Sequence, residues 1–270
     1  MIHERIKLTK REGAVYDPEL VTYIRDPLMT VAPNKKRPMV VICPGGGYEH
    51  VSEREAEPIA LALLERGFNA CYLKYNVAPT TFPTQLLEVA EAVALVRQNE
   101  EKWHVDTNRV IVGGFSAGGH LAGSLGVFWS ESFLEELMGM KKECYQPNGL
   151  MLCYPVISSG EKAHRGSFDN LVRGKQELLE KVSLEQQVSA ATPKSFLWHT
   201  ADDTVVPVEN SIYFASALQK VGVPYELHIF PTGVHGLSLA TEDTMFGDGN
   251  GIQEECQIWI DLFETWLNHF

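Results

Sequence analysis

What this 270-residue chain lacks narrows the field first. No apolar run reaches the roughly 18 residues of a membrane-spanning helix, so a membrane anchor is not expected. The opening stretch, MIHERIKLTKREG, is charged throughout and has no apolar leader core, so a secretory signal is not expected either. Cysteines are few: five, at positions 43, 71, 144, 153 and 256, an odd number with no CxxC spacing. A disulfide framework and a metal site are therefore not expected, and a reduced, cytoplasmic setting is. Cys43, Cys71 and Cys153 lie inside apolar runs, where a free thiol acts as a small hydrophobe. Basic residues are also scarce, 23 Lys and Arg against 35 Asp and Glu, for a net charge of -12. A broad negative field repels phosphate backbones, which removes nucleic acid from the expected partners. The one basic triplet, Lys35 to Arg37, reads as an exposed turn before a strand. Repeats, low-complexity stretches and linkers are all missing.

What remains is ordinary globular composition, 44% apolar and 21% charged, enough for a sizeable core. Short β-rich runs alternate with longer helical ones. Strands are expected over 2–8, 20–25, 39–43, 70–75, 109–113, 149–154, 196–199 and 225–230. Helices are expected over 55–65, 83–103, 117–128, 208–221 and 254–268. In the last of these, Trp259, Leu262, Phe263, Trp266 and Leu267 share one face. The run MVVIC is apolar throughout, as for a strand covered on both faces. The alternation predicts an α/β fold with a mostly parallel central sheet flanked by helices, in one domain over 1–270. Residues 158–193 break the rhythm and hold at most one or two helices. Such a long excursion in a compact domain is read as a cap or rim over a site.

The sharpest chemical signal is Gly114-Phe115-Ser116-Ala117-Gly118, directly after the strand RVIVGG and before a small, apolar helix. A Ser at a tight strand-to-helix turn is exposed above the sheet, with helix N–H groups beside it. A hydroxyl is a poor nucleophile at neutral pH and needs a base. His235, in the Gly-flanked loop after YELHIF, is placed to serve. His199 and His228 fall within strand patterns and read as packed. His120 lies on the helix after Ser116, facing away from the pocket or into the core, while His50 and His164 are placed to line the site. The orienting carboxylate comes from Asp202 or Asp203, in the loop after SFLWHT. Cys43-Pro44-Gly45-Gly46-Gly47-Tyr48 supplies backbone N–H groups which, with that of Ala117, would hold a developing oxyanion. The same loop lacks the GK[ST] ending of a phosphate loop and the spacing of a dinucleotide loop.

With these residues in place, the chain resembles the α/β-hydrolase superfamily. More narrowly it resembles the bacterial acetyl esterases and acetylxylan-esterase-like, xylanase-B-like lipases and esterases. The segments PGGGY followed by SEREAEPIA, GFSAGGHLA, YPVIS, TADDTVVP and GVHG carry the likeness, from about residue 38 to the C-terminus. The resemblance implies Ser116 as nucleophile, His235 as base and Asp202, rather than Asp203, as the acid. It implies Gly46, Gly47 and Ala117 as oxyanion donors. Pro44 stands where related lipases often have His, which removes a side chain that can brace the loop. The implied activity is hydrolysis of a short acyl ester, acetyl above all, on a sugar or xylo-oligosaccharide, without a cofactor. Tyr48, His164 and Phe168 are expected at the substrate walls, Trp198 in the core, and Arg54 with Glu55 as a structural ion pair. A homo-oligomer is compatible with the resemblance, although no exposed apolar stripe marks an interface. A serine peptidase or an arylformamidase on the same fold is the rival enzyme reading. A binding protein on a dead hydrolase fold is the rival of another class.

Overall fold

One eight-stranded sheet runs through the computed structural model, which describes residues 1–270. Its strands are β1 (Arg5–Lys7), β2 (Glu19–Tyr23), β3 (Arg37–Cys43), β4 (Asn69–Lys74), β5 (Val105–Phe115), β6 (Gly149–Cys153), β7 (Lys194–Thr200) and β8 (Tyr225–Phe230). They lie in the order β1-β2-β4-β3-β5-β6-β7-β8. β2 is antiparallel to both its neighbours, and every pairing from β4 to β8 is parallel.

All seven residues of β3 are buried, because helices cover both faces of the sheet. The helices are α1 (Glu57–Glu65), α2 (Thr84–Gln98), α3 (Ala117–Phe128), α4 (Ser132–Met138), α5 (Arg165–Val172), α6 (Glu209–Val221), α7 (Glu254–Gln257) and α8 (Trp259–Asn268). α2, α3 and α6 pack on one face, around Val41, Leu86, Val93, Leu121 and Phe214. α1 and α8 pack on the other, around Val40, Ile42, Ile59, Leu63, Trp259 and Phe263. Trp198 is fully buried and stacks on Trp259 at 5.4 Å between ring centroids, as a core residue.

Several expectations need adjusting. α2 stops at Gln98, where Asn99 turns its amide back onto the Leu95 carbonyl at 2.9 Å. The C-terminal helix is two, α7 and α8, meeting at the half-exposed Ile258. α4 has no counterpart in the predicted elements. Arg37 is not part of an exposed turn: it opens β3, is 4% exposed and donates its amide to the His104 carbonyl. The segment 158–193 contains α5 and two 3-10 turns. No helix is long and apolar enough to cross a membrane.

Because β3, β5, β7 and β8 are parallel, their C-terminal ends share one edge of the sheet. The loops leaving that edge carry Pro44 to Tyr48, Ser116, Asp202 with Asp203, and His235.

Candidate active site

Ser116 occupies the turn between β5 and α3 with φ 52° and ψ -120°, a backbone shape that costs a non-glycine residue of order 1–3 kcal/mol. The turn closes only because its flanks lack side chains. A Cβ on Gly114 would stand 2.0 Å from the Gly118 carbonyl oxygen, and one on Gly118 2.0 Å from that of Cys43. The Ser116 amide donates to the Cys153 carbonyl at 3.0 Å. Its hydroxyl donates to Nε2 of His235 at 2.8 Å.

His235 Nδ1 lies 2.6 Å from Asp203 Oδ2. The expected partner, Asp202, is elsewhere: its Oδ1 accepts the Gly233 amide at 2.8 Å, and the residue is exposed. The Asp202 expectation is therefore corrected to Asp203. The physical reason is the course of the chain after β7, which turns the first carboxylate outward and the second inward. Asp203 Oδ1 takes the amides of Val205 and Val206, both at 2.9 Å. Oδ2 faces His235 and, at 3.3 Å, Nε2 of the buried His199. Burial alone would raise the Asp203 carboxyl, but hydrogen bonds from His199 and His235, the charge of His235 and the Val206 amide outweigh it. The group is held well below the usual carboxylate range. Asp202 still shapes the site, because its bond and that of Thr200 Oγ1 to the Gly233 carbonyl fix the loop that presents His235.

A carboxylate at Nδ1 requires the proton there, which leaves Nε2 free to accept from Ser116. Opposite the hydroxyl, Gly46 and Gly47 line the same cavity. Neither their amides nor that of Ala117 has an acceptor within the protein. Gly46 has φ 120°, and a Cβ there would stand 2.2 Å from the His50 carbonyl oxygen, so only glycine fits.

The loop is braced without the histidine that Pro44 replaces. Tyr75 Oη donates to the Pro44 carbonyl at 2.6 Å, and Asn170 of α5 donates to that of Gly47 at 3.0 Å. The Gly45 amide donates to Glu55 Oε2 at 2.8 Å. Glu55, 3% exposed, also accepts from Tyr154 Oη at 2.7 Å. Tyr154 in turn accepts the Ser238 amide and sets its ring edge-on to His235, centroids 5.2 Å apart. Thus one buried carboxylate links the Gly45 side of the site to the His235 side. The expected Arg54–Glu55 ion pair does not form. Arg54 instead donates to the carbonyls of Thr244 (Nε, 2.7 Å) and Gly236 (2.9 Å) and lies 3.9 Å over Phe246.

The cavity above Ser116 is about 330 Å³ and includes His50, His164, Val205, Gly236 and Phe246. His164 lines this cavity and is hydrogen-bonded to Ser167 at 2.8 Å. Desolvation, then the charge of His235, lowers the His164 pKa, although Asp203 opposes the shift. Tyr48 and Phe168 are not at the walls; both are buried against His120. Tyr48 Oη donates to His120 Nδ1 at 2.8 Å, and Phe168 meets the same ring edge-on at 5.4 Å. His120 Nε2 donates to the Val182 carbonyl, and burial lowers its pKa to about 4, so it is a neutral core residue.

Two residues of the site, Tyr154 and Asn170, are not singled out by the sequence, and three others take parts different from those expected: Asp203 replaces Asp202, Glu55 accepts from Gly45 and Tyr154 instead of pairing with Arg54, and the packed His199 lies against Asp203. The sequence trace of Tyr154 and Asn170 is position alone: Tyr154 directly follows β6, and Asn170 lies within the 158–193 excursion.

A sequence profile of the BD-FAE family matches residues 28–218. Endo-1,4-beta-xylanase B of Butyrivibrio fibrisolvens is 36% identical over 227 residues, which cover 80% of this chain and 35% of that protein. The acetylxylan esterase of Xylanibacter ruminicola is 30% identical over 211 residues, 75% of this chain and 41% of that one. The chain thus spans less than half the length of these two curated relatives. Among solved structures, the acetyl ester-xyloside bifunctional hydrolase from Caldicellulosiruptor lactoaceticus superposes with a TM-score of 0.82 at 39% identity, covering 98% of this chain and 96% of that one. The profile match takes in the glycine loop, the serine turn and both Asp residues, and it covers well over half of the chain: the chain belongs to the BD-FAE family of α/β hydrolases.

Proposed function

We propose that the protein is a serine carboxylic-ester hydrolase that removes short acyl groups, chiefly acetyl, from sugars or xylo-oligosaccharides. The observation that carries this reading is the continuous chain from Ser116 Oγ through His235 to Asp203, at 2.8 and 2.6 Å, facing three unpaired amides. In the proposed reaction Ser116 Oγ attacks the ester carbonyl as His235 Nε2 takes its proton. Asp203 accepts the Nδ1–H throughout and stabilises the imidazolium without becoming protonated. The amides of Gly46, Gly47 and Ala117 receive the oxyanion, each donor worth about 2.7–4 kcal/mol in comparable sites. His235 then gives its proton to the departing alcohol, and water, activated by the same base, releases the acid from Ser116.

The acetyl preference is supported by size and by kinship. A cavity of about 330 Å³ lies at the small end of the roughly 300–1,000 Å³ of ligand pockets. The solved relative at 39% identity is named an acetyl ester-xyloside hydrolase, and a curated relative an acetylxylan esterase. His164 and Asn170 bring the 158–193 segment to the site, which supports its role as a rim.

Hydrolysis of p-nitrophenyl acetate, butyrate and octanoate, beside acetate release from acetylated xylo-oligosaccharide, tests the reading. Activity falling steeply beyond acetate, with acetate released from the sugar, is expected. A preference for octanoate would replace it with a lipase-like role. Turnover of amides or formamides in place of esters would replace it with the peptidase or formamidase reading.

A further inference from the structure

A second concavity, of about 750 Å³, lies beside the catalytic cavity, lined by Arg5 of β1, Tyr72 and Lys74 of β4, and the segments at Tyr16 and 49–58. Glu49, His50 and Ser52 line both, so the segment 49–52 is their common rim. The groove has the makings of a binding site that the hydrolytic machinery does not use. Tyr16 stands in its wall, 38% exposed. The Tyr16 hydroxyl is tied to the Tyr75 carbonyl at 2.6 Å, so the ring is held in place before any ligand arrives. Around it, Arg5, Lys74, Glu49, Glu53 and His50 make no side-chain hydrogen bond or ion pair within the protein.

These groups are free to bind a ligand. Two cations, Arg5 and Lys74, stand with the carboxylates Glu49, Glu53 and Glu57, the last holding the Tyr23 hydroxyl, so the groove matches neither an anionic nor a cationic ligand along its length. They do match a neutral chain of hydroxyls, which donates to the carboxylates and accepts from the cations. A fixed aromatic face beside them suits the C–H faces of a sugar ring and loses little freedom on binding. We infer that this groove is an oligosaccharide subsite, holding the sugar chain that extends from the acylated unit across the 49–52 rim. This rests on the esterase reading for the adjoining cavity. It adds that the enzyme selects a chain rather than a single sugar, and that Tyr16 and Lys74 set this selectivity without reaching the reacting ester.

The test compares Tyr16→Ala and Lys74→Ala with the unmodified protein. The quantity read is the ratio of kcat/KM on acetylated xylotetraose to kcat/KM on p-nitrophenyl acetate. A fall of about tenfold in this ratio for Tyr16→Ala, and a smaller fall for Lys74→Ala, carried mainly by KM, is expected. An unchanged ratio in both variants overturns the subsite. A second measurement needs no turnover: calorimetric binding of unacetylated xylotetraose and of xylose to Ser116→Ala, with and without Tyr16→Ala. Tighter binding of the tetraose, weakened about tenfold by the second change, supports the subsite. Equal affinity for tetraose and xylose overturns it. If the unmodified protein hydrolyses no ester at all, the esterase reading has failed. If it cleaves p-nitrophenyl acetate but gains nothing from chain length, only the subsite has.

Discussion

Asp202 and Asp203 are chemically identical neighbours with opposite surroundings, and the difference is measurable. Asp203 receives two amides and two imidazoles, whereas Asp202 receives one amide in a loop. Asp203→Asn should lower kcat on p-nitrophenyl acetate by about 10⁴, as loss of the correct imidazole tautomer does in comparable triads. Asp202→Asn should cost far less. The reverse order would move the acid back to Asp202. The same carboxyl links stability to pH. Its native pKa is depressed below the ordinary value of about 3.9, so its contribution is complete above that value and is lost as pH falls through the native one. Urea melts from about pH 6 down to about pH 3 should therefore show a steeper loss of stability in the unmodified protein than in Asp203→Asn. Equal slopes would show that the Asp203 bonds contribute nothing net. Glu55→Gln separates positioning from binding. Glu55 takes the Gly45 N–H on Oε2 and the Tyr154 O–H on Oε1, and the substitution turns one of these atoms into an NH2 that cannot accept, so one of the two braces is lost as it stands. The expected result is a kcat decrease smaller than the ~10²–10³ of removing an oxyanion donor, with KM little changed. A KM effect alone would mean that Glu55 contacts substrate instead.

At the level of elements, the site depends on a turn that tolerates no side chain. The Gly118 position abuts the Cys43 carbonyl, so α3 and β3 must separate if a methyl group is added. Gly118→Ala should destabilise by more than about 4 kcal/mol or give no soluble protein, the range reserved for such backbone conflicts. A melting temperature close to that of the unmodified protein would show that the turn is more yielding than its geometry. α5 makes a contrasting contribution: Asn170 reaches out of the 158–193 segment to one carbonyl of the glycine loop. Asn170→Ala should leave thermal stability nearly unchanged, since one part-buried hydrogen bond is worth about 0.5–1.5 kcal/mol, yet lower kcat. Unaltered kcat would mean that Tyr75 and Glu55 hold the loop unaided.

At the scale of the whole molecule, much of the architecture was legible because its causes are local. Short β-rich runs marked all eight strands, and the Gly-Phe-Ser-Ala-Gly turn marked the β5–α3 junction and the start of α3 at Ala117. The boundaries that shifted have non-local causes. α2 ends where Asn99 folds back on it, and the last helix divides at Ile258 although its apolar stripe continues. The strand order, with β4 between β2 and β3, leaves no trace in a single chain. The same division runs through the site. Ser116 and His235 stand in recognisable turns, and the glycine loop announces free amides. Which aspartate faces inward depends on how the loop after β7 packs onto His199. Tyr48 and Phe168 read as wall residues because nothing nearby in sequence reveals that His120 collects both in the core.

The most direct test is the rate of p-nitrophenyl acetate hydrolysis by the unmodified protein and by Ser116→Ala, with mass spectrometry of the protein after an organophosphonate probe. A loss of roughly 10⁶ in kcat, as when a triad acts as a unit, together with one adduct on Ser116, is the predicted result. Ester hydrolysis that survives Ser116→Ala, or a protein that neither turns over the ester nor takes up the probe, would contradict a serine esterase centred on Ser116, His235 and Asp203.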